Sequence, residues 1–197
     1  MTLIVIIKIL AIIILLLLSA LSSGSETALT AVSKQRAHRQ KDKGAKNANF
    51  ILKIKEFKDE FITGILLANN LFNILATALM TELLVSEFGG LGVTVATIFM
   101  TLMIVIFSEV TPKIFAINKP MTFALRVSKF FYFYTKLIKP IVNLINKISN
   151  KIIRIIGLNL NADQSKIIEE EFEGAVQLQK QYSKDGEYEA DYMSNIL

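Results

Sequence analysis

Three apolar blocks, and the way the charges avoid them, constrain this chain more than any other feature. A helix needs about 20 mostly apolar residues to cross a bilayer. Residues 3–21 are broken only by Lys8 and Ser19. Residues 61–112 contain no Lys or Arg, and their acids are Glu82, Glu87 and Glu109. Two blocks lie in that stretch, separated by the short Glu87-Phe88-Gly89-Gly90 link. The pattern predicts three transmembrane helices over about 3–22, 61–85 and 91–116, the last two as an antiparallel hairpin. Core helices of a soluble protein are the competing reading, but blocks of this length without basic residues do not suit it.

The charges are sorted by segment. Residues 32–58 carry nine Lys/Arg against Asp42 and Glu56, and residues 113–154 carry nine more with no acid. Basic loops stay on the cytoplasmic side. Both stretches therefore predict a multi-pass protein of the plasma (inner) membrane with its amino terminus outside and its carboxy terminus cytoplasmic. Lys8, near the outer end, is expected to snorkel outward. Leu18-Ser19-Ala20 loosely matches a signal-peptide cleavage site. However, the first block lacks a basic start and is long for a signal peptide, so it is read as a retained helix.

Residues 121–156 are apolar but interleaved with Arg126, Lys129, Lys136, Lys139, Lys147, Lys151 and Arg154. Pairs spaced by three or four share helix faces. Pro120 can start a helix and Pro140 should break or kink it. The expectation is two amphipathic helices forming a juxtamembrane belt, with the aromatic run 130–134 at headgroup level. A fourth span over 121–145 is the alternative, and it would force several basic side chains to snorkel or pair. Residues 157–197 then turn acidic, with nine Asp/Glu and three Lys from 163 onward. They are expected to be cytosolic and helical, with a turn at Lys184-Asp185-Gly186. The predicted class is an all-α integral membrane protein: a transmembrane domain with its belt (1–156) and an acidic cytosolic segment (157–197).

Composition narrows function. At 52% hydrophobic residues the chain is not disordered. Cysteine is absent and His38 is the single histidine. Disulfide frameworks, Cys-type zinc sites and thiol nucleophiles are excluded. There is no phosphate-binding loop and no evident base–nucleophile pair, so no enzyme is expected. The basic segment 32–58 follows from membrane topology and does not require nucleic acid.

Polar groups inside a span are costly and usually mark a pathway or a contact. Ser19 and Ser23 are four apart, on one face of the first helix. Their alternative role is close helix packing or a bond back to the i−4 carbonyl. Asn69 and Asn73 repeat that spacing on the second helix, with interhelical hydrogen bonding as the alternative. On the third helix Glu109 precedes Pro112, which removes the N–H that the Ser108 carbonyl would use. A carboxylate beside a freed carbonyl suits a cation, whereas pairing with Lys113 would make Glu109 merely structural. With antiparallel helices, all three sets fall in the cytoplasmic half of the membrane. Together they offer six oxygens and no nitrogen or sulfur, which suits Mg²⁺ or Na⁺. A single carboxylate suits an ion that must be released.

These stretches, SALSSGSETA at 19–28, LLANNLFNIL at 66–75, and FSEVTPK at 107–113 followed by Asn118-Lys119-Pro120, resemble the transmembrane domain of the cyclin M and CorC family of magnesium transporters. The resemblance implies three transmembrane helices and a belt per protomer, assembly as a homodimer, and a dehydrated Mg²⁺ held within the bilayer. By motif position its ligands would be Ser19, Ser23, Asn69, Asn73, Glu109 and the Ser108 carbonyl. Family members usually have Gly where this chain has Ser108. The family continues into paired CBS regulatory domains, and this chain stops where they would begin. It is expected to be either a truncated form or a naturally short one, and nucleotide control is not predicted from these residues. The leading expectation is therefore Mg²⁺ transport, as export with Na⁺ as counter-ion. A non-transporting membrane anchor or sensor for a cytosolic module is the alternative, and a bilayer-disrupting protein is a third class.

Overall fold

The computed structural model describes residues 2–156. The expectations for 157–197 lie outside the described residues. The described chain is helical, without strands: α1 (Thr2–Ala31), α2 (Lys34–Asp42), α3 (Ala48–Glu56), α4 (Lys58–Phe88), α5 (Leu91–Met103), a π-helical segment (Ile104–Val110), α6 (Thr111–Asn118) and α7 (Pro120–Ile155). Among them, three stretches are long and apolar enough to cross a membrane: Leu3–Ala31, Lys58–Phe88 and Leu91–Asn118. The third is continuous through α5, the π segment and α6.

The first helix runs well past its apolar block. The hydroxyls of Ser22, Ser25, Thr27 and Thr30 donate to carbonyls four residues back, so the polar stretch satisfies itself without leaving the helix. That helix is the hub of the bundle, packing along α4 on one side and on the π segment and α6 on the other. Toward the hairpin end, Ile12, Ala76 and Met100 form a small buried core. There the Lys8 ammonium meets Glu82 of α4 at 2.8 Å. Pairing lowers the penalty of holding either charge beside hydrocarbon. The hairpin turns at Gly89, whose φ of 58° favours glycine. At Gly92 a Cβ would lie 2.4 Å from the Leu84 carbonyl oxygen, so only glycine lets the two helices meet there.

The basic segment expected as a loop folds instead into α2 and α3. Ser33 caps α2 by accepting from Arg36 N. Ile51, Ile54 and Ala37 are buried with Leu29 and Phe61, so tertiary packing fixes helices that charge density alone obscures. Lys55 donates to Thr30 O at 3.2 Å. Burial first, then the neighbouring Lys58 and Lys34 charges, hold its pKa below that of an ordinary lysine.

The belt is one continuous helix, α7, and not two. Pro140 lies inside it. The carbonyl it leaves without a donor belongs to Lys136; both residues are exposed, where water or headgroups can satisfy that oxygen. The belt is not among the helices apolar enough to span. It lies against the basic end of the bundle: Tyr134 OH donates to Gly64 O, Thr63 Oγ1 to Asn146 Oδ1, and Asn47 Nδ2 to Leu125 O. Within the aromatic run Phe131 is buried against Phe61, while Phe130 and Phe133 remain exposed. The described residues up to Asn146 form one compact unit. Beyond it, α7 stays helical to Ile155.

Candidate ion site

Hydroxyl partners separate the serines of α1. Ser22 and Ser25 bond back to their own helix. Ser19 does not: its Oγ faces α4, 2.5 Å from Asn69 Oδ1 and 2.6 Å from Asn73 Oδ1. One hydroxyl proton therefore meets two carbonyl oxygens, and one of the two O···O contacts carries no proton. Either a turned amide or a cation among the three oxygens resolves that arrangement. Ser23, one turn further along, is fully buried, and its Oγ has no hydrogen-bond partner. A buried hydroxyl left unpaired costs about 1–3 kcal/mol. The alternative role of bonding back to i−4 thus holds for Ser22 and Ser25 and fails for Ser19 and Ser23.

The third span approaches the same stretch of α1. Ser108 is fully buried, and its Oγ lies 3.1 Å from Leu16 O. One turn later, Pro112 O passes close enough to Gly24 that an added Cβ would sit 3.3 Å from it. These two contacts bracket Ser19 and Ser23 on α1. Glu109 is half-buried. The pairing with Lys113 is not made: the ion pairs among the described residues are Lys8–Glu82 and Lys139–Glu60. The structure joins Ser19 to Asn69 and Asn73 directly and sets Ser108 beside α1. It draws no hydrogen bond from Glu109 or Ser23 to the rest.

Sequence reasoning identified the Ser108 carbonyl and missed the π segment. There the Thr111 N–H reaches back five residues to Ile106 O. It is then no longer the donor for Phe107 O, whose next candidate is Pro112, which has no N–H. Ser108 O loses its helical donor to the same proline. Phe107 O thus lacks both its i+4 and i+5 donors, and Ser108 O its i+4 donor, immediately before Glu109. Pro112 was the available signal, but a proline alone suggests a kink, and the extra residue per turn is not legible from it. Among the described residues no cluster of three or more His, Cys, Asp or Glu exists. Any cation held here relies on neutral oxygens and one carboxylate, which favours a hard ion over Zn²⁺.

Comparison with known proteins gives the family of the chain. The family model described as the cyclin M transmembrane N-terminal domain matches residues 10–190. A UPF0053 protein of Haemophilus influenzae is 34% identical over 152 residues, covering 77% of this chain and 36% of the relative. The UPF0053 inner membrane protein YfjD of Escherichia coli is 32% identical over 134 residues, covering 68% and 31%. A putative DUF21 domain-containing chloroplastic protein of Arabidopsis thaliana is 29% identical over 181 residues, covering 88% and 26%. The chain spans about a third or less of the length of these relatives. Since the family match leaves out only the two ends of the chain, the protein belongs to the cyclin M family, as an all-α membrane domain.

Proposed function

We propose that this domain transports Mg²⁺ across the membrane through a dehydrated-ion site made of Ser19, Ser23, Asn69, Asn73, Glu109 and the Ser108 carbonyl. The observation that carries this reading is the convergence of the Ser19 hydroxyl on the Asn69 and Asn73 side chains, one turn from Ser23, a buried hydroxyl with no partner. Structural serines bond back or pair fully, as Ser22 and Ser25 do. Ser19 instead reaches across to α4, and Ser23 is left without a partner. Six oxygens suit the near-octahedral demand of Mg²⁺, and one negative charge leaves the ion able to depart. The resemblance supports outward transport with Na⁺ as counter-ion, from the cytoplasm of a cell whose inner membrane holds the domain with its amino terminus outside.

The working unit in this reading is a homodimer. Asn70 supports it: the residue lies well inside the second span and is exposed in the single chain. A carboxamide facing lipid is costly, and a second copy would cover it.

The test is Mg²⁺ flux in proteoliposomes. Glu109→Ala should abolish flux while the purified particle keeps its helical content and the mass of two chains. Full flux in a folded Glu109→Ala particle overturns the transport reading, and a monomeric mass overturns the dimer.

A further inference from the structure

The outward face of the belt helix carries an open groove of about 570 Å³. Its floor is Phe130, Phe133 and Leu137, spaced i, i+3, i+7 on one helical face, and all three are exposed. Asn47 and Tyr134 close one side. Arg126, one turn before Phe130, and Lys129 stand at the amino-terminal end of the same stripe. Neither cation has an ion-pair partner among the described residues, and no acid occurs anywhere between residues 113 and 154.

Two unpaired cations above an apolar trough complement one kind of molecule: an anion carrying a hydrocarbon chain. The helix packs at the basic end of three membrane-spanning helices, where such molecules are the solvent. Opposite the groove, Phe131 and Val127 are buried against the bundle, so the trough is held open from behind. We propose that this groove binds an anionic glycerophospholipid of the adjoining leaflet. Its phosphate lies between Arg126 and Lys129 and an acyl chain lies along Phe130, Phe133 and Leu137. The bidentate fork of Arg126 fits a phosphate, and Lys129 adds a mobile second charge. An acidic amphipathic protein segment is the competing occupant, and the placement of the groove at the basic end of the spans favours lipid over it.

The whole chain, purified and stripped of lipid, should be titrated with phosphatidylglycerol, with phosphatidylcholine of the same acyl chains, and with inorganic phosphate. Native mass spectrometry reads retained lipid and a melting curve reads stabilisation. Phosphatidylglycerol should be retained and should raise Tm, and the other two should not. Arg126→Gln and Lys129→Gln should each weaken that binding about fivefold. Lys136→Gln, an equal loss of charge on the same helix but outside the groove, should leave it unchanged. Phe133→Ala should weaken retention without removing the preference for the anionic headgroup. Several outcomes overturn the proposal. Equal binding of both lipids makes the groove a generic apolar surface. An equal response to inorganic phosphate makes it an anion site with no use for the chain. Equal losses in Lys136→Gln reduce it to diffuse charge attraction. No retained lipid in the parent hands the groove to a protein segment.

Discussion

Ser23 and Ser108 are both fully buried serines near the same stretch of α1, yet they predict opposite behaviour. Ser108 Oγ bonds Leu16 O across two helices. Ser108→Ala should destabilise the protein by about 0.6 kcal/mol, the average for such bonds in membranes, and by no more than about 1.7. It should keep its response to Mg²⁺, because the proposed ligand is the carbonyl and not the hydroxyl. Ser23 Oγ bonds nothing. Ser23→Ala should leave the metal-free Tm unchanged or raise it, and should reduce stabilisation by Mg²⁺. Thermal melts with and without the ion check both. A Ser23→Ala protein that melts lower without Mg²⁺ and responds fully to it would make Ser23 a packing residue. Residue identities at this site were legible in the sequence, because Ser and Asn spaced by four inside apolar helices are unusual enough to stand out. Partners were not. Nothing in spacing alone separates Ser19, which reaches α4, and Ser23, which has no partner, from Ser22 and Ser25, which bond back to their own helix.

At the level of elements, the third span shows how a proline can be absorbed. The π segment Ile104–Val110 ends just before Pro112, which takes the second position of α6. The wide turn accommodates the missing donor and takes the i+4 donors from the Phe107 and Ser108 carbonyls. Pro112→Ala returns an N–H to this point. It should draw one of those carbonyls back into the helix, leave the protein folded and as stable as before, and weaken the Mg²⁺-induced shift in Tm. An undiminished shift would show that the freed carbonyls are not used. The three spans were readable as elements because hydropathy over 20 or more residues overrides local detail. The short helices α2 and α3 were not, because their stability comes from Ile51 and Ile54 packing on α1 and α4, which no local pattern displays. For α7, Pro140 misled in the other direction. A proline breaks a helix only where the lost bond cannot be replaced, and the Lys136 carbonyl lies on an exposed side.

Over the whole unit, α1 organises the proposed ion site. It carries two of the candidate ligands, faces the asparagines of α4, and meets the third span at Leu16 and Gly24. Movement of either neighbour relative to it would alter the oxygen set, which is what a transport site requires. The most direct measurement is a titration of Mg²⁺ into the detergent-purified chain, followed by melting temperature, beside Glu109→Ala. The parent should be stabilised by about 1.4 kcal/mol when Mg²⁺ reaches ten times its dissociation constant, and the variant should not respond. A parent that shows no shift at millimolar Mg²⁺, or a Glu109→Ala variant that shifts as much as the parent, would contradict an intramembrane Mg²⁺ site.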